Sequence, residues 1–445
     1  MSAPDLSIAA DEYGLLTDLY QMTMIACYCG EGLENRPASF ELFVRRLPEG
    51  FGYLIAAGLE QVLSYLENLH FSEDQILALE KTGLFTGAPD KFWNILANGR
   101  FTGDVFAVAE GTTIFANEPL LRVTAPLWQA QLVETFLLNT INYQTLIGTR
   151  AARLRDIAGD EAILLEFGTR RAFSPQGSMW AARAAIACGL DSTSNVLAAL
   201  KLGQKPSGTM AHSLVMAIGA IEGSEDDAFA AFDRYFPGAT LLIDTYDTLA
   251  AAERLAESGK KVKGVRLDSG DLVELSQKVR QLLPETKIFA SGDLDEYEID
   301  RLRKAGACID GYGIGTRLVT GSPVNGVYKL VEIDGIPTMK RSSQKATYPG
   351  DKQIFRHRDN GIVTGDRLGL AIESPEEGEI PLLERVMKDG KRLSPPENLE
   401  SIQKRARESV RELPPIARQL DNPAPLPVTI SKPLQTLHDS LLSRF

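Results

Sequence analysis

Short apolar segments alternate with helical segments through the middle of the chain, from about residue 160 to residue 330. Each apolar run has the length of a buried strand, and the stretches between them space their apolar residues as helices do. This alternation favours a parallel sheet with helices outside it. The predicted strands are AILLEF (162–167), SGTMAH (207–212), ATLLID (239–244), KGVRLD (263–268), KIFAS (287–291), DGYGIG (310–315) and GVYKLV (326–331).

Polar residues capable of chemistry follow almost every predicted strand. In a β/α barrel the carboxyl ends of all strands meet on one face, where catalytic groups gather. A doubly wound open sheet would gather them less evenly, so the pattern favours a barrel. The strand-end residues are Glu166, Arg170, His212, Asp244, Asp268, Asp271, Asp293, Thr316 and Arg317.

The two ends of the chain differ from the middle. Residues 1–135 mix helices and strands, with an alternating strand at 38–45 and short β segments between 101 and 124. Residues 332–445 are less regular and have too few periodic apolar positions for a core of their own. We therefore expect 332–445 to pack on 1–135, and we expect the barrel to cover 136–331.

Composition and charge exclude several classes of protein. The chain has 445 residues and a net charge of −12, which makes it a poor binder of nucleic acid or anionic lipid. No apolar stretch reaches transmembrane length, and the polar, acidic residues 1–12 do not resemble a signal or transit peptide. Four cysteines do not make a disulfide framework. We expect a cytoplasmic protein.

His212 is the first candidate for chemistry. A lone histidine more often has a structural role, but this one is among only four in the chain and ends a predicted strand. Its neighbours Ser207, Thr209 and Ser213 are small and carry hydroxyl groups. Such surroundings suit an imidazole that acts as a base or as a nucleophile toward phosphorus. A helix beginning near Ser213 could also hold an anion at its amino end.

The segment RLDSGD (266–271) combines one cation with two carboxylates at a strand end. A strand-to-helix link capped by Ser269 or Asp271 accounts for only part of it. Arg266 could grip a planar carboxylate through paired hydrogen bonds. Asp268 and Asp271 could accept sugar hydroxyls or hold Mg²⁺ through water.

Two small glycine-containing loops follow later strands, Ser291-Gly292-Asp293 and Gly313 to Arg317. Neither has the Lys-Ser/Thr end of a P-loop or the GxGxxG pattern. Small residues nevertheless let backbone amides approach a phosphate, and barrels often bind phosphate in their late loops. These loops are candidate phosphate sites.

Aromatic and basic residues add two further candidates. Phe167 could stack on a flat ring, although a core position is its ordinary role. Arg170 and Arg171 follow it and would meet an anion at the barrel mouth. A basic patch, either a solvated loop or a second anion site for a polyphosphate, is formed by Lys340, Arg341, Lys345, Lys352 and Arg356.

An ordered set of strings from residue 15 to about 360 resembles the nicotinate phosphoribosyltransferase family. Each string alone is weak, whereas the set in this order is specific; past about residue 400 no motif matches. The strings are LTDLYQMT (16–23), EFGTRR (166–171), STSN (192–195), GTMAHS (208–213), RLDSGD (266–271), GIGT (313–316) and PGDKQ (349–353).

The resemblance implies an α/β fold, an irregular β/α barrel with an α/β sandwich module formed from the N-terminal and C-terminal segments. It implies an ATP-dependent, ligase-type enzyme that joins nicotinate to 5-phosphoribosyl 1-diphosphate in NAD biosynthesis. Mg²⁺ would be held through diphosphate and water, with Asp268 and Asp271 as candidate ligands. A homodimer with active sites at the subunit interface is also implied.

The resemblance also implies roles for single residues. His212 matches the histidine that ATP phosphorylates, and Tyr20, from the partner subunit, and Phe167 match the two aromatics around the pyridine ring. The implied catalytic residues are His212, Asp268 and Arg266. The implied nicotinate-binding residues are Tyr20, Phe167, Thr209, Arg170 and Arg266, and the implied phosphoribosyl- and phosphate-binding residues are Ser291, Gly292, Asp293, Gly315 and Thr316.

Several alternatives remain open from sequence. Nicotinamide-using relatives carry an aspartate in the segment that here reads TSN (193–195), so its absence favours nicotinate. A quinolinate-using enzyme would need more cations for two carboxylates. A Schiff-base aldolase would need a strand-end lysine, for which Lys329 is only a modest candidate. A non-catalytic metabolite-binding barrel is the last alternative.

Overall fold

The computed structural model describes residues 6–9, 11–340 and 347–443. The chain divides into two compact units, of which the second is Ile147–Ser322 and the first is the rest. The strands are β1 Pro37–Val44, β2 Leu54–Ile55, β3 Asp104–Val108, β4 Thr113–Ile114, β5 Pro119–Pro126, β6 Ile163–Glu166, β7 Ser192–Thr193, β8 Leu241–Leu242, β9 Gly264–Leu267, β10 Lys287–Ala290, β11 Gly311–Ile314, β12 Gly326–Ile333, β13 Ile336–Pro337, β14 Lys352–Asp359, β15 Ile362–Leu370, β16 Glu379–Pro381, β17 Leu383–Lys388, β18 Lys391–Arg392 and β19 Val428–Ile430.

The helices occupy much of the remaining chain, and the longest of them runs across the division between the units. They are α1 Leu19–Glu31, α2 Leu59–Asn68, α3 Glu73–Lys81, α4 Asp90–Asn98, α5 Leu127–Leu132, α6 Glu134–Ala158, α7 Pro175–Cys188, α8 Val196–Lys201, α9 His212–Glu222, α10 Glu225–Tyr235, α11 Thr248–Glu257, α12 Leu272–Leu282, α13 Glu296–Lys304, α14 Thr316–Val319, α15 Leu399–Arg411, α16 Pro415–Arg418 and α17 Lys432–Leu442.

The second unit contains a six-stranded parallel sheet in the order β7-β6-β11-β10-β9-β8. Neighbouring strands are consecutive in the chain, and the first strand, β6, pairs with the last, β11. This is the pairing order of a β/α barrel that is open at one seam, between β7 and β8. The α/β class predicted from the alternating pattern is confirmed.

The predicted strand SGTMAH (207–212) is wrong, and it lies at this seam. Residues 204–211 form neither helix nor strand, and Ser207 N donates to Thr193 O at 2.9 Å without a ladder following. Pro206 has no N–H to donate, and the Met210 carbonyl accepts from the Arg266 side chain at 3.4 Å instead of from a strand. His212 is therefore the first residue of a helix and not the end of a strand.

The predicted strand GVYKLV (326–331) exists but does not belong to the parallel sheet. As β12 it pairs antiparallel with β1 in the first unit, with Leu42 opposite Tyr328. The Tyr328 ring stacks on Phe40 at a centroid distance of 5.0 Å, and its hydroxyl donates to Ala130 O at 2.8 Å. The apolar sequence of a strand does not show which sheet the strand joins. Here the contacts of Tyr328 with Phe40 and Ala130 favour pairing with β1.

The first unit is built from both ends of the chain. Its seven-stranded sheet has the order β13-β12-β1-β5-β3-β17-β18, and a four-stranded sheet has the order β16-β14-β15-β19. Strand β5 pairs with both β1 and β3, and β17, from the C-terminal part of the chain, pairs with β3. The expected module of N-terminal and C-terminal segments is confirmed.

The predicted basic patch is not a patch, because two of its members are buried in ion pairs. Lys352 Nζ lies 2.8 Å from Glu41, and Arg356 contacts both carboxylate oxygens of Asp366, at 2.7 and 3.0 Å. Alternation along β14 places both cations inward. Lys340 is exposed, and Arg341 and Lys345 lie outside the described residues. A polyphosphate site is therefore not formed by Lys352 and Arg356.

Over the ranges that the structure describes, no helix combines the length and apolar character needed to cross a membrane.

Candidate active site

A cavity of about 740 Å³ lies at the carboxyl ends of the parallel strands in the second unit. Its lining contains most of the residues that the sequence predicted, although those residues lie far apart in the chain. Among the site residues that the family resemblance implies, Tyr20 and Asp271 are the two exceptions. The predicted residues in the lining are Phe167, Arg170, Thr209, His212, Arg266, Asp268, Ser291, Gly292, Asp293, Gly315 and Thr316.

Phe167 forms an aromatic wall of the cavity. It follows β6, its backbone N–H donates to Ile314 O at 2.7 Å, and its ring lies over Gly313. A Cβ at position 313 would be 2.5 Å from two ring carbons of Phe167, so any larger residue here would displace the ring. The Arg266 guanidinium lies 5.9 Å from the ring centroid on the cavity side of β9. The pair offers one flat apolar surface and one cation.

Glu166 holds the turn that carries Phe167. Its side chain is buried, one oxygen accepts from Gly168 N, and the other accepts from Thr193 Oγ1 at 2.5 Å. Burial raises the pKa of the Glu166 carboxyl. The sequence placed Glu166 among the strand-end groups, but the structure shows a residue that fixes backbone and does not line the cavity.

Arg266 connects two sides of the cavity. Nη1 donates to Thr209 Oγ1 at 2.5 Å, and Nη2 donates to Asp268 Oδ1 at 3.3 Å. The Arg266 Nε is buried and has no hydrogen-bond partner among the described residues. Ser291 Oγ donates to the same Asp268 oxygen. These contacts fix the guanidinium, and one N–H of Nη2 has no acceptor among the described residues and is left for an anionic ligand.

Asp244 supports the loop that carries Asp268. Its Oδ2 accepts from Asp268 N and from Ser269 Oγ, both at 2.8 Å. Its Oδ1 is buried without a partner in the described part of the chain. The sequence pattern placed Asp244 at a strand end but did not assign it a role.

His212 begins α9 at the cavity wall. Its Nδ1 lies 3.1 Å from Thr245 Oγ1, a contact that sequence reasoning missed because Thr245 carries no motif signal. The cap residue Ala211 gives α9 no side-chain acceptor, and Leu214 N donates to Ala211 O at 3.0 Å. The N–H groups of His212 and Ser213 remain without an acceptor among the described residues. The imidazole Nε2 and these N–H groups could face one anion.

In both predicted phosphate loops a glycine lies close to the backbone of a neighbouring segment. Gly292 has φ +94°, and a Cβ there would be 2.4 Å from Asp268 O. Asp293 follows in the left-handed region at φ +49°. At Gly315 a Cβ would lie 3.3 Å from Phe167 O. A side chain at Gly292 would therefore collide with the Asp268 carbonyl and push the two loops apart.

The carboxylates fit a magnesium ion held mainly by substrate. Asp268 and Asp293 line the cavity, but within the described ranges no group of three or more metal-binding side chains forms a cage. Mg²⁺ commonly binds through one or two carboxylates together with phosphate oxygens and water. Asp271 does not fit that role, because its carboxylate caps α12 by accepting from Val273 N and Glu274 N.

Tyr20 lies in the first unit on α1, with its side chain about half exposed. Burial, and then the charge of Glu134, raise the pKa of the Tyr20 hydroxyl. The Gln21 amide donates to Glu134 Oε2 at 2.8 Å. The role of Tyr20 beside a pyridine ring stays a prediction.

Comparison with known proteins identifies the family to which the chain belongs. Three family models match along the chain: the nicotinate phosphoribosyltransferase N-terminal domain at residues 15–142, the nicotinate phosphoribosyltransferase family at 163–358, and its C-terminal domain at 375–438. The chain is 42% identical to a nicotinate phosphoribosyltransferase of Mycobacterium tuberculosis over 92% of this chain and 89% of that protein.

The chain is a member of the nicotinate phosphoribosyltransferase family. It is also 44% identical to the Bacillus subtilis nicotinate phosphoribosyltransferase, over 81% of this chain and 76% of that protein. The crystal structure of human nicotinic acid phosphoribosyltransferase superposes with a TM-score of 0.84 at 32% identity, covering 96% of this chain and 99% of the human chain. The resemblance found in the short strings is confirmed.

Proposed function

We propose that this chain joins nicotinate to 5-phosphoribosyl 1-diphosphate and releases nicotinate mononucleotide and diphosphate. The observation that carries the proposal is that one cavity holds an aromatic wall, a fixed guanidinium and two glycine loops. The pyridine nitrogen would attack C1 of the ribosyl group, and the bond from C1 to the diphosphate oxygen would break. The departing diphosphate keeps the electron pair, so no covalent sugar intermediate is needed.

The pyridine ring would stack on Phe167, and its carboxylate would meet Arg266. The second N–H of Arg266 Nη2 would supply a charge-assisted donor, and Thr209 holds the guanidinium in place. Ser194, which lines the cavity, is neutral, so no anion repels the carboxylate there. An aspartate at this position would accept from a carboxamide N–H and repel nicotinate. We therefore favour nicotinate over nicotinamide.

The phosphoribosyl group would lie between the two glycine loops. Gly292 and Gly315 line the cavity, and the backbone N–H groups around them could approach phosphate oxygens. Asp268 and Asp293 would stabilise the positive charge that develops on the ribosyl ring as the leaving group departs. A bound Mg²⁺ would neutralise charge on the diphosphate. Asp268 would hold it, through water or directly.

We further infer that ATP phosphorylates His212. Thr245 Oγ1 can accept from Nδ1–H, which leaves the lone pair on Nε2 for attack on the γ-phosphorus of ATP. The bond from that phosphorus to the bridging oxygen breaks, and ADP leaves. Water later attacks the phosphoimidazole phosphorus and releases phosphate. The added negative charge at the start of α9 would be stabilised by its N–H groups.

Labelling with γ-³²P-ATP tests the phosphohistidine directly. We expect acid-labile, alkali-stable label on the wild-type protein and none on His212→Ala. His70→Ala is the matched control, since His70 is another of the four histidines and lies in the first unit. Label that persists in His212→Ala would contradict the assignment.

We also propose that the protein works as a homodimer. Helices α8 and α9 present an apolar surface that a second copy would cover, and Val215 is the only buried residue of α9 that the structure describes. Tyr20 of one subunit would then complete the pyridine site of the other. The exposed apolar side chains are Val196, Leu197, Leu200, Met216 and Ile221. Sedimentation of wild type against Leu200→Glu/Met216→Glu tests this, with a monomer expected for the variant.

A further inference from the structure

A second cavity, of about 150 Å³, lies at the amino-terminal ends of β8 and β9. Helices α10 and α11 form its walls, together with the segments that lead into the two strands. The active-site cavity lies at the carboxyl ends of the same sheet. The two cavities share no lining residue.

The inner surface of this second cavity is apolar. Phe229 and Leu241 are almost fully buried, and Leu255, Ala230 and Val262 complete the apolar lining. An apolar cavity of about this volume holds one benzene-sized ring. The shape and lining therefore fit a single six-membered ring better than a nucleotide.

Three lysines lie at the rim of the second cavity. Lys260, Lys261 and Lys263 line it, and the Lys263 side chain passes over Gly238, where a Cβ would be 3.0 Å from Nζ. The fourth cation, Arg254, is neutralised by Glu225 at 2.7 Å and Asp226 at 3.0 Å.

Two carboxylates also belong to the lining, Asp226, which pairs with Arg254, and Asp233. Asp233 is occupied by a hydrogen bond from Gly238 N at 3.0 Å. Lys261 also lies 3.6 Å from Glu285, although both side chains are highly exposed and such a pair is weak. Lys260 and Lys263 form no ion pair among the described residues, so their ammonium groups are available to a small anion.

We propose that this cavity binds a small aromatic anion, one six-membered ring that carries a single carboxylate or similar group. The ring enters the space between Phe229 and Leu255, and the anion meets Lys260 and Lys263. Nicotinate and other monocyclic aromatic acids share this chemistry. The site is additional to the one proposed for catalysis, because its lining belongs to the opposite edge of the sheet.

Benzoate is the probe for this site, and its binding is measured by isothermal titration on the full chain. Ala230→Phe fills the cavity, and Lys260→Glu/Lys263→Glu reverses the rim charge. Either change should weaken benzoate binding by about tenfold or more, which is about 1.4 kcal/mol. Lys287→Glu is the matched control, since Lys287 is an exposed lysine at the start of β10 outside the lining.

Phe167→Ala separates the second cavity from the active site. The proposal expects benzoate binding to survive in Phe167→Ala and in Lys287→Glu. Binding that is lost in Phe167→Ala but retained in both cavity variants would place the ring in the active site and overturn the proposal. Absence of saturable binding to the wild type would overturn it as well. If Ala230→Phe does not fold, benzoate binding to Lys260→Glu/Lys263→Glu still tests the proposal.

Discussion

Replacing Gly313 with alanine should displace the aromatic wall of the active site. The new Cβ would be 2.5 Å from Cδ2 and Cε2 of Phe167, whereas carbon atoms in favourable contact are about 3.5–4.0 Å apart. Gly313 lies in the buried strand β11, so the ring must move by about 1 Å. The ring is half-buried at the cavity and can move without unfolding the sheet.

A displacement of about 1 Å in a group that positions substrate can lower turnover by up to about a hundredfold. We therefore expect kcat/KM for nicotinate to fall about tenfold to a hundredfold, or about 1.4–2.7 kcal/mol of transition-state stabilisation. The KM for 5-phosphoribosyl 1-diphosphate should stay within about threefold of wild type, because the new methyl group meets Phe167 and the phosphate-loop residues Gly315 and Thr316 are unchanged.

The assay follows mononucleotide formation while each substrate is varied in turn. Gly208→Ala is the matched control, since Gly208 lines the same cavity and a Cβ there would meet no heavy atom closer than 4.0 Å. The reasoning is refuted if Gly313→Ala keeps the wild-type kcat/KM for nicotinate. It is equally refuted if Gly208→Ala is as impaired as Gly313→Ala.

Three further changes follow from single contacts. Asp366→Ala leaves the buried Arg356 charge without its partner and should cost about 3–5 kcal/mol in urea unfolding, against about 0.5 kcal/mol or less for exposed Asp359→Ala. Burial, and then the charge of Asp366, hold the pKa of Glu118 well above its ordinary value, so wild-type stability falls as pH rises through that raised pKa. Glu118→Gln removes this titration. The free energy of unfolding of the variant minus that of the wild type should therefore increase between pH 5 and pH 8. Ser194→Asp should raise the KM for nicotinate at least about tenfold by like-charge repulsion, and an unchanged KM would remove Ser194 from the pyridine site.

Much of the second unit could be predicted from the sequence, because each parallel strand is a short apolar run that ends in a polar residue. Strands β6, β9, β10 and β11 follow that pattern, and their ends bring Phe167, Arg266 and Asp268 into one cavity. The pattern fails at SGTMAH (207–212), where apolar and small residues resemble a strand but Pro206 and the Arg266 side chain remove the ladder.

Other features depend on contacts that no local pattern reveals. The Thr245 contact to His212 and the two hydrogen bonds that Asp244 accepts join segments far apart in the chain. Likewise, the inward direction of Lys352 and Arg356 depends on Glu41 and Asp366, which belong to other strands. A local run of cations cannot show that its members have buried partners.

Turnover with two alternative bases tests the central claim most directly. Wild type and His212→Ala are supplied with 5-phosphoribosyl 1-diphosphate and either nicotinate or nicotinamide, with and without Mg-ATP. We predict mononucleotide from nicotinate, stimulated by ATP in the wild type and without that stimulation in His212→Ala. Turnover of nicotinamide in place of nicotinate, or ATP stimulation that survives in His212→Ala, would contradict the account.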